Sequence, residues 1–188
     1  MNKCVFLDRD GTINIDKGYT YLPSDLEIIS GVPEALKMIK SKGFLLIVIM
    51  NQSGIARGKY KINDIDVFHN EINRQLIAIN SVPIDAFYVC PHYVLGTVLP
   101  YNTECNCRKP LPGMILQAVK DYNIDLSLSY MIGDKESDVL AGKNAGINKS
   151  YLVDSNHDIL YYANIFFLVA DETNPENALF HTRAKPII

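Results

Sequence analysis

The sequence predicts an α/β fold: a doubly wound, mainly parallel sheet with helices on both faces. Three observations carry that expectation. Short apolar, β-rich runs recur along the chain, helical patterns lie between them, and the first two runs lack the alternation of a half-exposed strand. A run without alternation is what a strand covered on both faces requires.

The runs are CVFL (4–7), FLLIVIM (44–50), AFYVC (86–90), LSYMI (128–132), SYLV (150–153) and IFFLV (165–169), each expected as a strand. Between them, Val32, Ala35, Leu36 and Ile39 form an apolar stripe, with Pro33 near its start and Gly43 at its end. Ile62, Ile65, Phe68, Ile72, Leu76 and Ile79 keep a spacing of three or four, which describes one long amphipathic helix. Met114, Ile115, Ala118, Val119 and Tyr122 make a third. No internal repeat, low-complexity tract or linker interrupts the pattern, so residues 1–188 are expected to form a single domain.

Composition bounds the function. Hydrophobic residues make up 48% and charged residues 21%, as in a soluble globular protein. A net charge of −3 argues against a general nucleic-acid binder, since phosphate backbones select basic surfaces. A small phosphorylated substrate needs only a local basic pocket. The first apolar run, Cys4 to Leu7, is too short for a signal peptide or a membrane span, so a cytoplasmic location without a membrane partner is expected. A monomer is the expected state.

Ligands of doubly wound sheets sit at the carboxyl ends of the strands. The polar residues that follow the predicted strands are therefore the candidates. They are Asp8-Arg9-Asp10-Gly11-Thr12, Asn51-Gln52-Ser53-Gly54, Arg108-Lys109 after a loop, and Gly133-Asp134-Lys135. Folding would bring these four segments to one rim.

Carboxylates, a lysine and small polar groups converging on a rim suit phosphoryl transfer. A hard cation such as Mg²⁺ takes oxygen ligands from aspartates and a backbone carbonyl. That cation and Lys109 would offset charge on the phosphoryl group. One aspartate can attack phosphorus, forming an acyl phosphate that water then hydrolyses. The other, two residues on, can protonate the leaving oxygen and later activate water. D-x-D-G-T alone would read as a turn. Its position after a buried strand, with GDKESD after another, favours chemistry.

FLDRDGT, the lysine of CRKP, and GDKESD resemble the charged motifs of the haloacid dehalogenase superfamily of phosphatases. NQSGIARGKY, CPH, CNCRKPLPGM and SYMIGDKESD resemble those of one family within it, the D-glycero-D-manno-heptose 1,7-bisphosphate phosphatases. These are small capless enzymes related to the histidinol-phosphate phosphatases. The resemblance implies Asp8 as nucleophile and Asp10 as general acid/base. It implies Mg²⁺ on Asp8, the carbonyl of Asp10 and Asp134, with Lys109 steadying the phosphoryl group. It further implies substrate contacts from Arg108, Lys135 and the loop Asp16, Lys17, Gly18, Tyr19, beside Asn51, Gln52 and Ser53. The segments after Gly11 and Ser53 are too short for a cap domain. The substrate implied is a sugar bisphosphate losing its 7-phosphate, with the product serving nucleotide-activated heptose synthesis for bacterial surface glycans.

One position departs from the family pattern. The residue before NQSG is usually a threonine, whose hydroxyl binds the phosphoryl group; here it is Met50, which has no such donor. Asn51 or Ser53 is the candidate to compensate.

Cys90-x-His92 and Cys105-x-Cys107 supply a Cys₃His set. Residues i and i+2 of an extended segment face the same side, so each pair could grip one ion, and a closed four-ligand shell is structural Zn²⁺ chemistry. Free thiols are the alternative, and a Cys105–Cys107 disulfide would close a strained small ring. The resemblance implies a zinc loop with this arrangement, which would set Arg108 and Lys109 over the site. Cys4 reads as an inert core thiol, and His69, His157 and His181 as surface or packing residues.

Two rivals remain. A phospho-accepting receiver domain shares the sheet, aspartate, lysine and Mg²⁺, but has no need of an acid/base such as Asp10. A non-catalytic homologue that binds sugar phosphate is motivated by Met50 alone.

Overall fold

The computed structural model describes residues 1–157 and 159–169. Five strands form one sheet: β1 (Cys4–Leu7), β2 (Leu45–Asn51), β3 (Ala86–Cys90), β4 (Tyr130–Gly133) and β5 (Lys149–Leu152). Every pairing is parallel and the order is β3-β2-β1-β4-β5. The expected doubly wound sheet is thus present. Leu7 pairs with Val48 on one side and with Ile132 on the other, so β1 is central.

Alternate residues of the central strands feed two cores. Val5, Leu7, Leu46, Val48 and Met50 face α1 (Val32–Ser41), α3 (Ile62–Ala78) and α6 (Leu160–Val169). Cys4, Phe6, Ile47, Ile49 and Met131 face α4 (Gly113–Tyr122) and α5 (Glu136–Ala145). Burial on both faces explains why those runs have no polar alternation. The long stripe predicted from Ile62 becomes α3, which buries Ile65, Phe68, His69, Ile72 and Leu76.

One element differs from expectation. IFFLV lies inside α6, not in a strand. The apolar stretch Leu160–Val169 is ten residues long without a turn signal, and that length favours a helix over a strand. His181 and the tail from 171 lie outside the described residues.

The chain runs one way from β1 through β2 to β3, and the other way from β4 to β5. The switch point lies between β1 and β4, where a crevice opens beyond the strand ends. Asp8 follows β1 and Asp134 follows β4. Between β1 and α1 the only regular element is a 3₁₀ turn, Pro23–Asp25, and between β2 and α3 the only one is α2 (Ser53–Ala56). Among the described residues no helix is long and apolar enough to cross a membrane.

Candidate active site

The site begins with the turn after β1. The Asp8 N–H still donates to the Ile132 carbonyl at 2.9 Å, so Asp8 leaves the sheet in register. The N–H groups of Thr12, Ile13 and Asn14 then converge on the Arg9 carbonyl, which folds the chain back. Gly11 sits at φ 86°, and a side chain there would place its Cβ 2.4 Å from Asp134 Oδ2. Glycine lets the turn close onto the acidic end of β4.

Lys109 enters the crevice from the loop before α4. Its Nζ lies 2.6 Å from Asp8 Oδ1 and 2.7 Å from Asp138 Oδ1, and donates to the Ile49 carbonyl at 2.8 Å. Asn51 holds the lysine's backbone from both ends: its Nδ2 donates to the Lys109 carbonyl and its Oδ1 accepts the Lys109 N–H, both at 3.0 Å. Burial opposes ionisation of Asp8, but the Lys109 ammonium outweighs it and holds the carboxyl below its usual range. Burial likewise opposes the charge on Lys109, and the carboxylates of Asp8 and Asp138 reverse that, raising its pKa.

Asp10 is held differently. Arg9, fully buried, donates to both its carboxylate oxygens, at 2.8 and 2.7 Å from Nη2, and also to the Thr20 carbonyl. Asn14 and Gln52 add donors at 3.0 and 3.1 Å. The Arg9 guanidinium rests over the Phe68 ring, 4.6 Å from its centre. Asp10 is therefore a firmly aimed carboxylate that still lines the crevice.

The acidic cluster suits a hard cation. Ligand oxygens of Asp8, Asp134 and Asp138 lie within 4.8 Å of one another. Buried Asp134 Oδ1 accepts no hydrogen bond, the condition of a ligand oxygen awaiting a cation. Burial, followed by the Asp8 charge, pushes Asp138 up to about 6, and burial raises Asp134 as well. Asp138 is already committed, with Oδ1 against Lys109 and Oδ2 accepting the Lys135 N–H at 3.0 Å. Asp8 and Asp134 are the pair with capacity left.

A second cluster stands beside β3. Cys107 Sγ is 3.1 Å from Cys90 Sγ, 3.3 Å from Cys105 Sγ and 3.4 Å from His92 Nδ1. Cys90 Sγ is 3.6 Å from Cys105 Sγ and 3.8 Å from His92 Nδ1. These are too long for disulfides, and near the edges of about 3.6–3.8 Å that tetrahedral Zn–S and Zn–N bond lengths require. The four side chains predicted together are together.

The crevice has a volume of about 260 Å³ and is lined by Asp8, Asp10, Met50, Asn51, Gln52, Ser53, Lys109 and Lys135. Of the expected recognition loop, Asp16, Gly18 and Tyr19 line it as well. Lys17 and Arg108 do not line it. The Lys17 ammonium turns to the Asp25 carbonyl and Glu27, while Arg108 donates to the His92 carbonyl and lies over the Tyr93 ring. Each finds a nearer partner on its own loop. The sequence reading named Arg9 on the rim without giving it a role, and missed Asp138, Tyr60 and Ser137. Asp138 had a signal, as the last acid of GDKESD at the third position of α5, where a carboxylate caps the helix. Tyr60, which lines the crevice and donates to Gln52, carried none.

An aspartate after the central strand, a lysine bridging it to a second acid, and a third acid after β4 define a phosphatase site of the haloacid dehalogenase type. The HAD-hydrolase-like family matches residues 106–158. Two proteins named D-glycero-beta-D-manno-heptose-1,7-bisphosphate 7-phosphatase are similar over most of their length. That of Haemophilus ducreyi is 46% identical over 80% of this chain and 82% of its own. That of Pasteurella multocida is 46% identical over 85% of each. A solved structure of D,D-heptose 1,7-bisphosphate phosphatase from B. bronchiseptica, complexed with magnesium and phosphate, superposes with a TM-score of 0.71. It is 29% identical and covers 93% of this chain and 89% of its own. The chain belongs to the D-glycero-beta-D-manno-heptose-1,7-bisphosphate 7-phosphatase family.

Proposed function

We propose that this protein hydrolyses the 7-phosphate of D-glycero-D-manno-heptose 1,7-bisphosphate through an aspartyl phosphate on Asp8. The observation that carries the reading is the contact of Lys109 Nζ with Asp8 Oδ1 at 2.6 Å, beside a second carboxylate, Asp10, in one crevice. The names of the relatives supply the substrate, and their beta designation makes the β anomer the first to test.

The Asp8 carboxylate attacks phosphorus, an O–P bond forms, and the ester O–P bond breaks. Asp10, in its acid form, gives its proton to the departing sugar oxygen. Asp10 then takes a proton from water, which attacks the acyl phosphate, frees inorganic phosphate and restores Asp8. Lys109 offsets charge on the phosphoryl oxygens throughout. Asp8, Asp134 and the Asp10 carbonyl would hold Mg²⁺, which supplies Lewis-acid stabilisation when bound. The Cys₃His cluster would hold structural Zn²⁺. Its sulfurs stand apart as thiols, in keeping with a reducing, cytoplasmic setting.

The test is phosphate release across a panel of both heptose bisphosphate anomers and histidinol phosphate, with and without Mg²⁺. Mg²⁺-dependent turnover of a heptose bisphosphate, lost in Asp8→Asn and Asp10→Asn, is expected. Turnover confined to histidinol phosphate would overturn the substrate. No turnover at all would make the protein a sugar-phosphate binder.

A further inference from the structure

We propose that Asn156, in the loop after β5, is a positioning residue that sets the substrate-recognition loop against the nucleophile turn. The proposal rests on the phosphatase reading and adds to it a residue that touches neither phosphorus nor metal.

Two bonds make the case. The Asn156 N–H donates to the Gly11 carbonyl at 2.8 Å, and the Asn156 Oδ1 accepts the Asp16 N–H at 2.7 Å. One residue thereby ties the Asp8 turn with its main chain and the loop starting at Asp16 with its side chain. The adjoining Ser155 hydroxyl stands with the Asp134 carboxylate over Gly11, so the same short loop backs the acid after β4. Asn156 has φ 63°, the left-handed region, which among side-chain-bearing residues asparagine and aspartate tolerate best. That backbone conformation turns N–H and side chain toward two different segments.

What Asn156 holds is the rim of the crevice. Gly18 N–H donates to Asp16 Oδ1 at 2.9 Å and Lys17 N–H to Thr20 Oγ1 at 3.1 Å, so the loop is internally braced. Tyr19, also left-handed at φ 55°, projects into the crevice with the Lys59 ammonium 4.6 Å from its ring centre. Asn156 is the hydrogen-bond anchor at the Asp16 end of the loop, beside a looser Lys135–Asp16 ion pair at 3.7 Å, while Arg9 holds the other end through the Thr20 carbonyl. Asn156 does not line the crevice. Its loss should therefore weaken sugar binding and spare the chemical step.

The test compares Asn156→Gly with Asn156→Asp in the full chain loaded with Mg²⁺. Glycine keeps the left-handed backbone and the N–H bond to Gly11, and removes only the acceptor. Aspartate keeps both. Asn156→Gly should raise KM for heptose 1,7-bisphosphate about five- to tenfold, the scale of one hydrogen bond, with kcat changed less than about twofold. The Asp16 amide should exchange with solvent faster in the same variant. Asn156→Asp should restore both. An unchanged KM in Asn156→Gly, an equal fall in kcat, or no rescue by aspartate would overturn the proposal. If the wild type fails to turn over the substrate, the phosphatase reading falls instead. The exchange measurement then still decides the tether, and an unaltered Asp16 amide in Asn156→Gly overturns it.

Discussion

Lys109 rests 2.7 Å from Asp138, and that second ion pair fixes where the lysine can stand relative to Asp8. Asp138 caps α5 by accepting the Lys135 N–H, and Gly133 makes room for it, since a Cβ there would fall 2.3 Å from Asp138 Oδ2. The lysine is thus referenced to the end of β4. Asp138→Asn keeps a capping oxygen and removes the charge. We expect kcat to fall about ten- to a hundredfold, the range in which partners of site residues act. Steady-state kinetics check it, with circular dichroism showing the fold intact. Wild-type kcat in the variant would mean that Asp8 alone positions Lys109.

Met50 lines the crevice yet is buried, with its Sδ 3.3 Å from His69 Nε2. A thioether offers the phosphoryl group no donor. Asn51, a candidate replacement, spends both ends of its amide on Lys109, which leaves Ser53. Met50→Thr should raise kcat about tenfold or more, part of the roughly 10²–10³ attached to one donor at developing charge. It should also lower stability by about 1–3 kcal/mol through lost packing. Single-turnover rates on the folded variant decide the matter; an unchanged rate would show that Ser53 already serves.

How much of this was legible in the sequence follows from geometry. Asp8 and Asn51 stand directly after an apolar run and Asp134 one residue beyond another, and a parallel sheet brings such positions to one edge whatever lies between. Their convergence could be read without coordinates. Arg9 and Asp138 could not be assigned in that way. A charge between two acids, or inside a helix's first turn, looks like solvated surface, and only packing shows that both are buried. The direction of a long side chain such as Lys17 or Arg108 is set by whichever partner is near, and spacing along the chain does not carry it.

His69 gives the fold a pH dependence. It is buried on α3, stacked on Phe87 with ring centres 4.1 Å apart, and burial, followed by the Arg9 charge, lowers its pKa to about 3. The unfolded chain binds a proton near the ordinary value of about 6.5, so between these values the unfolded state holds more protons and stability rises with pH. The contribution is complete above about 6.5 and is lost as pH falls toward 3. Moving from about pH 7.5 to about pH 5 should therefore cost about 2 kcal/mol through this group. Urea unfolding of wild type and His69→Phe at both pH values tests it. The variant should lose less stability than wild type by about that amount, and parallel losses would show that His69 is protonated in the fold.

The Cys₃His cluster predicts a metal-dependent loop with a catalytic consequence. Cys107 is joined directly to Arg108 and Lys109, so whatever fixes Cys107 also fixes the backbone from which Lys109 reaches Asp8. Four ligand atoms this close, three of them thiols, gain order from Zn²⁺ and lose it without the ion. Freshly purified protein should contain about one zinc per chain, and Cys105→Ser should abolish that stoichiometry. If the loop then loses about 3 kcal/mol of stability, Tm should fall by about 6–12 °C for a chain of this size. Turnover should drop with it, and added Mg²⁺ should fail to restore it, because the damage lies in the loop that carries Lys109. Metal analysis by mass spectrometry and a thermal scan provide the check. Zinc-free protein with full activity and an unchanged melting point would leave the cluster as four reduced side chains without a structural ion.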